Sequence, residues 1–235
     1  MALVRPMCAA AAVATAVLIA PGHVSSLQAQ ATPNLSGIWQ RTRTVAPNPD
    51  QLPLNARGVA LKEAIDESLA PMYDCVPATI PHILGDPYNF SIEQRPDRVI
   101  FRFEKDGVTR TAFIGGRATP SDYAVQGYSV AKYEGNALVV ETSMYTFDPG
   151  GLEDKPPMVP SSTQKRTTER YSRTGDQLTV DVVLEDRLIM KEPVKFMFQF
   201  KPTKDALVEW PECDPEQSRA PLNYMPVSSL KYGIR

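Results

Sequence analysis

The chain has 235 residues and a net charge of −2, with 25 Lys and Arg interleaved among 27 Asp and Glu. That length allows a full hydrophobic core in one domain, and the absence of a basic stripe argues against nucleic acid as a partner. Beyond the first 31 residues only Cys75, Cys213 and His82 remain as cysteine or histidine ligands, too few for a zinc site built in the usual way, so no metal is expected.

The N-terminus has three parts: Arg5, an apolar alanine-rich run from Met7 to Ala20, and the small-x-small triplet Ala29-Gln30-Ala31. This is the anatomy of a secretory signal peptide over residues 1–31, with an apolar run too short for a comfortable membrane span. Residues 32–235 then form a single domain, periplasmic or secreted, with no stable span once the signal is removed. Its two remaining cysteines, Cys75 and Cys213, are most simply a disulfide in an oxidising compartment.

Asn34 to Gln40 is a short strand candidate containing Gly37-Ile38-Trp39, and the segment to Pro53 is a loop rich in Pro, Asn and Asp. From Asn55 to Leu69 the apolar residues Leu61, Ala64, Ile65 and Leu69 recur at helical spacing, with Asn55 able to cap and Pro71 to stop. A proline-stiffened loop around His82 follows. From Tyr88 onward the period is two. Strands are predicted over 88–94, 98–104, 108–114, 127–133, 137–142, 165–172, 177–184, 194–201 and 206–210, with 148–163 as one long excursion. Short connections and clean alternation predict antiparallel meanders, and nine or ten such strands close into a barrel sooner than leave open edges. Across the Gly135-Asn136 turn, residue numbers pair at a sum near 271, which sets Glu141 beside Ser129 and Val130.

Nucleophile and phosphate motifs fail on context. Gly127-Tyr128-Ser129-Val130-Ala131 lacks the following helix that a nucleophile elbow needs, and Gly115-Gly116 is too short to cradle phosphate. No cofactor is expected. What remains is a set of polar residues within strands, either an ion-pair lattice on a solvated face or groups facing a barrel lumen.

The ordered series Leu35-Ser36-Gly37-Ile38-Trp39, Cys75-Val76-Pro77, Gly116-Arg117-Ala118-Thr119-Pro120, the run from Gly127 to Thr142 (GYSVAKYEGNALVVET) and Glu169-Arg170 resembles a group of exported bacterial lipocalin-like proteins of mostly unassigned function. The resemblance implies an all-β, lipocalin-like barrel and no settled activity. The chain departs from the group's pattern at Ala118-Thr119 and Arg166, where the group carries histidines.

Two functions follow, the first preferred because the strand-borne ionisable residues exceed what a carrier of apolar ligands needs. One is a cofactor-independent lyase or isomerase acting on a small hydrophobic or aromatic molecule, with Tyr128, Glu141, His82 and Arg117 as acid–base and polarising groups. The other is a carrier of a similar molecule. In either, Trp39, Arg110, Tyr133, Glu169 and Tyr171 are candidate ligand contacts. Trp39 is expected beneath an arginine at the closed end, with Arg170 the first candidate. Arg117, Tyr128 and Glu141 are expected to share one cavity. Oligomeric state is not legible.

Overall fold

Alternating side chains, seen first in Val194-Lys195-Phe196-Met197-Phe198, build the wall of a closed barrel. The computed structural model describes residues 32–154, 158–208 and 212–224. The predicted signal segment and Trp210 lie outside the described residues.

Nine strands form the barrel: β1 (Gly37–Val45), β2 (Phe90–Gln94), β3 (Arg98–Phe103), β4 (Thr109–Ile114), β5 (Tyr128–Glu134), β6 (Ala137–Ser143), β9 (Lys165–Thr174), β10 (Gln177–Asp186) and β11 (Val194–Thr203). Their order around the barrel is β1-β11-β10-β9-β6-β5-β4-β3-β2, closed by pairing of β1 with β2. The remaining two strands, β7 (Asp148–Glu153) and β8 (Val159–Ser161), make a separate hairpin within the predicted excursion. The chain is a closed, nine-stranded β-barrel, antiparallel but for one pair.

Four expectations are corrected. One barrel pair, β4 with β5, is parallel, because the connection through residues 115–127 returns the chain to the end at which β4 begins. The first strand runs on to Val45, deep into the stretch read as loop, because β11 offers it a partner as far as Met197. Residues 206–208 carry no strand. The helical pattern over 55–69 yields a helix only at α1 (Ala56–Ala64), where Asn55 accepts from the Gly58 amide. A 3-10 turn at Glu67–Leu69 then replaces it.

The Gly135-Asn136 turn sets the register of β5 on β6: Tyr128 faces Ser143 and Val130 faces Glu141. Gly135 supplies the positive φ, 62°, that a two-residue hairpin demands. Inward-facing residues of all nine strands merge into one core that includes Trp39, Phe90, Phe101, Leu138, Val180 and Phe200. The short helix α2 (His82–Gly85) follows the buried Ile80 and presses Ile83 and Leu84 into that core as a plug.

Candidate functional site

The strands bring three groups of side chains together at different heights in the barrel. At the closed end, Trp39 is buried and donates from Nε1 to the Leu35 carbonyl at 2.9 Å. Beside it, Gln94 accepts from the Leu35 amide at 2.6 Å and donates to the Tyr133 hydroxyl at 2.9 Å. The cation over the indole is Arg173, at 5.3 Å, and not Arg170. Arg173 shares the inward parity of Tyr171, whereas Arg170 points outward to Glu134 at 3.3 Å.

The second group is a polar layer inside the barrel. The Arg110 guanidinium grips the Glu169 carboxylate through two hydrogen bonds, 2.5 and 2.9 Å. It also donates to Ser129 and Thr142, and the Tyr171 hydroxyl donates to Glu169 at 2.6 Å. Phe101 underlies both Arg110 and Tyr171. Burial works to lower the Arg110 pKa, but the adjoining Glu169 carboxylate outweighs it and the net shift is upward. Burial raises the phenols of Tyr171 and Tyr145, the latter to about 12. These hydroxyls therefore keep their protons near neutrality, and the layer is bonded within itself, with Arg110 Nε its one buried nitrogen lacking a hydrogen-bond partner among the described residues.

The third group lies at the open end. A cavity of about 770 Å³ is walled there by the segment from Ala70 to Thr79, the turn at 105–107, the start and end of the β7 excursion, and residues 212–218. Cys75, in left-handed conformation at φ 57°, ends a 3-10 turn and is bonded to Cys213, with Cα atoms 5.8 Å apart. The helix α3 (Pro215–Arg219), capped by Asp214, packs on that turn and pairs Arg219 with Asp74. The disulfide thus fixes the cavity's roof to its wall.

Two basic groups stand between cavity and polar layer. His82 lines the cavity; its Nε2 is out of solvent and has no hydrogen-bond partner among the described residues. Burial pushes its pKa below the ordinary histidine value, opposed by Asp154 and aided by Lys165. Lys165 is buried beneath, with Nζ donating to Thr79 Oγ1 at 2.7 Å and the Gly151 carbonyl at 2.9 Å. Burial pulls it down to about 8 despite Asp148 and Asp186.

The residues proposed for catalysis are not brought together. Tyr128 and Glu141 both point out of the barrel, since the inward parity on β5 and β6 belongs to Ser129 and Thr142. Glu141 is 54% exposed and pairs with Lys132. Arg117 lies over the Phe113 ring at 4.4 Å and near Asp97, while its backbone meets the Tyr128 hydroxyl. His82 alone of the four reaches the cavity. Trp39, Arg110, Tyr133, Glu169 and Tyr171 point inward as expected but belong to the closed end and the polar layer. Asp148, Asp154, Thr79 and Lys165 were not singled out from sequence; their one signal was the long excursion that carries the two aspartates. Among the described residues no group of three His, Cys, Asp or Glu is placed to hold a metal ion, and no helix is long and apolar enough to cross a membrane.

Fold and site together define a closed β-barrel with a disulfide-roofed cavity at its mouth. No family model and no curated protein matches the chain. Solved structures similar to it include fatty-acid-binding protein 1 of Echinococcus granulosus (11% identity, TM-score 0.38, covering 72% of this chain and 96% of that one). A zebrafish ileal bile acid-binding protein complexed with cholic acid is similar at 11% identity and TM-score 0.35, over 72% and 98% of the two chains. A SAHS protein of Ramazzottius varieornatus is similar at 13% identity and TM-score 0.39, over 74% and 98%.

Proposed function

We propose that this barrel is a carrier: it holds a small apolar or amphipathic molecule at its mouth without converting it. The observation that carries the reading is the cavity of about 770 Å³, within the range of roughly 300–1,000 Å³ that small-molecule sites occupy. Pro71, Met72, Val76, Pro77 and Ala78 give it an apolar wall, and Thr79 and His82 give it polar points. The preferred lyase or isomerase reading loses its support. Arg110, Glu169 and Tyr171 are bonded to one another, and Arg117 and Glu141 are engaged on the outer surface. The Cys75–Cys213 bond supports an oxidising, exported setting, in line with the resemblance to exported barrels.

Titration with N-phenyl-1-naphthylamine, a neutral fluorophore that brightens in apolar surroundings, tests the reading. Saturable binding is expected, and is lost when Met72→Trp and Val76→Trp fill the cavity while the circular dichroism of the barrel persists. No saturable binding, or binding indifferent to the filled cavity, overturns it.

A further inference from the structure

The cavity does not end at His82. On the far side of its ring lies a second space of about 220 Å³, walled by Leu52, Pro81, Leu152, Phe196 and Phe198. His82, Asp86 and Asp154 line both spaces, so they form the neck between them. The Phe196 ring meets the imidazole edge-on at 6.5 Å. A polar neck therefore opens onto a small aromatic-walled end.

The charge of the lining is one-sided. Asp86, Asp106, Asp148, Asp154, Glu212 and Asp214 stand against Lys105 alone among the described lining residues. Lys105 sits 3.4 Å from Asp106, away from the neck. Asp148 accepts from the Gly150 amide and Asp214 from the Glu216 amide; each hydrogen bond leaves the carboxylate's charge in place. Lys165, the nearest buried cation, bonds to Thr79 and Gly151 and lines neither space; its charge offsets part of that of Asp148 and leaves the carboxylates in excess. A low-dielectric cleft bearing one sign of charge concentrates ligands of the other sign. The neck adds a second, independent observation, the buried and unpartnered Nε2 of His82. Buried polar atoms without partners are rare, and such an atom at a cavity neck points to a group that has yet to arrive. Burial keeps the imidazole neutral, and a neutral ring with its proton on Nδ1 presents an acceptor at Nε2.

We infer that the site takes a cationic amphiphile: a primary or secondary ammonium seated among Asp148, Asp154 and His82 Nε2, with its alkyl or aryl tail laid against Phe196 and Phe198. This rests on the carrier reading of the mouth and names its ligand class. An ammonium supplies both what the carboxylates attract, a positive charge, and what the imidazole lacks, an N–H donor. A carboxylate ligand supplies neither and meets like charge at the neck. Small turns of the His82 ring about its side-chain torsions bring Nε2 to the ligand, since the residue keeps a partly exposed edge.

The experiment is calorimetric titration of the disulfide-bonded protein with decylammonium, decyltrimethylammonium, decanoate and decanol, at pH 7 and below their micellar concentrations. Decylammonium is expected to bind about tenfold or more tighter than decanoate, with decyltrimethylammonium between them because it has the charge without the donor. Asp154→Asn should weaken decylammonium severalfold and leave decanol unchanged; Asp148→Asn serves the same test if the first variant does not fold. Phe196→Ala should weaken all that bind. Decanoate binding as tightly as decylammonium, or decylammonium indifferent to both aspartate variants, overturns the inference. N-phenyl-1-naphthylamine binding persists in that case if the carrier reading holds; failure of every probe, the naphthylamine included, sinks both.

Discussion

Removing one partner of the Arg110–Glu169 pair leaves the other charged, buried and short of hydrogen bonds. Glu169→Gln or Arg110→Met should therefore cost roughly 3–5 kcal/mol, read as a lowered urea midpoint. Arg110→Met combined with Glu169→Leu should recover part of the loss, because a matched apolar pair leaves no charge behind. Trp39→Ala is expected to cost about 3–5 kcal/mol through the cavity it opens under Arg173. By contrast, Arg117→Met, Tyr128→Phe and Glu141→Gln should each leave naphthylamine binding within about twofold of the parent, as surface changes away from a site do. A larger loss from any of them would place the ligand on the outer face and not at the mouth.

Each element of the wall depends on parity, and parity divides what could be read in the sequence from what could not. Alternation in β10 and β11 announces strands, and the Gly135-Asn136 turn announces the register of β5 on β6. Neither says which alternate set faces the core, because a strand read alone is symmetric about its pleat. Tyr128 and Ser129 are neighbours with opposite fates for that reason, as are Glu141 and Thr142. The parallel entry of β5 was hidden because residues 115–127 carry no helical pattern, the usual mark of a parallel crossover. The cavity was hidden because its walls come from segments far apart in the chain. Only the long excursion and the proline-stiffened loop of His82 hinted at it. The plug and excursion are stapled by Lys165, whose pKa of about 8 lies below the ordinary lysine value of 10.5. Between these values the unfolded chain binds a proton that the native protein does not. Stability should rise with pH through that window, by up to about 3 kcal/mol, and Lys165→Met should flatten the rise. His82 has the same sign at lower pH. Its lowered pKa means that stability falls as pH drops below 6.5, and His82→Phe should remove that portion of the slope.

For the whole molecule, the Cys75–Cys213 bond spans a sequence separation of 138 residues. Closing so long a loop stabilises by about 4–5 kcal/mol on the chain-entropy account. Cys75→Ser with Cys213→Ser should lose much of this in urea unfolding and should weaken naphthylamine binding as well, because the same bond holds roof to wall. A stability loss with unchanged affinity would separate the two roles and show that the roof is dispensable. The central claim is that the barrel interior is a packed core and that binding belongs to the mouth. Mapping backbone amide shifts by nuclear magnetic resonance, with and without saturating N-phenyl-1-naphthylamine, tests it most directly. The account predicts the largest shifts at residues 70–79, 82–86 and 148–154, with Arg110, Ser129, Thr142 and Glu169 unmoved. Shifts centred on that polar layer, or on Arg117, Tyr128 and Glu141 outside the wall, would contradict it.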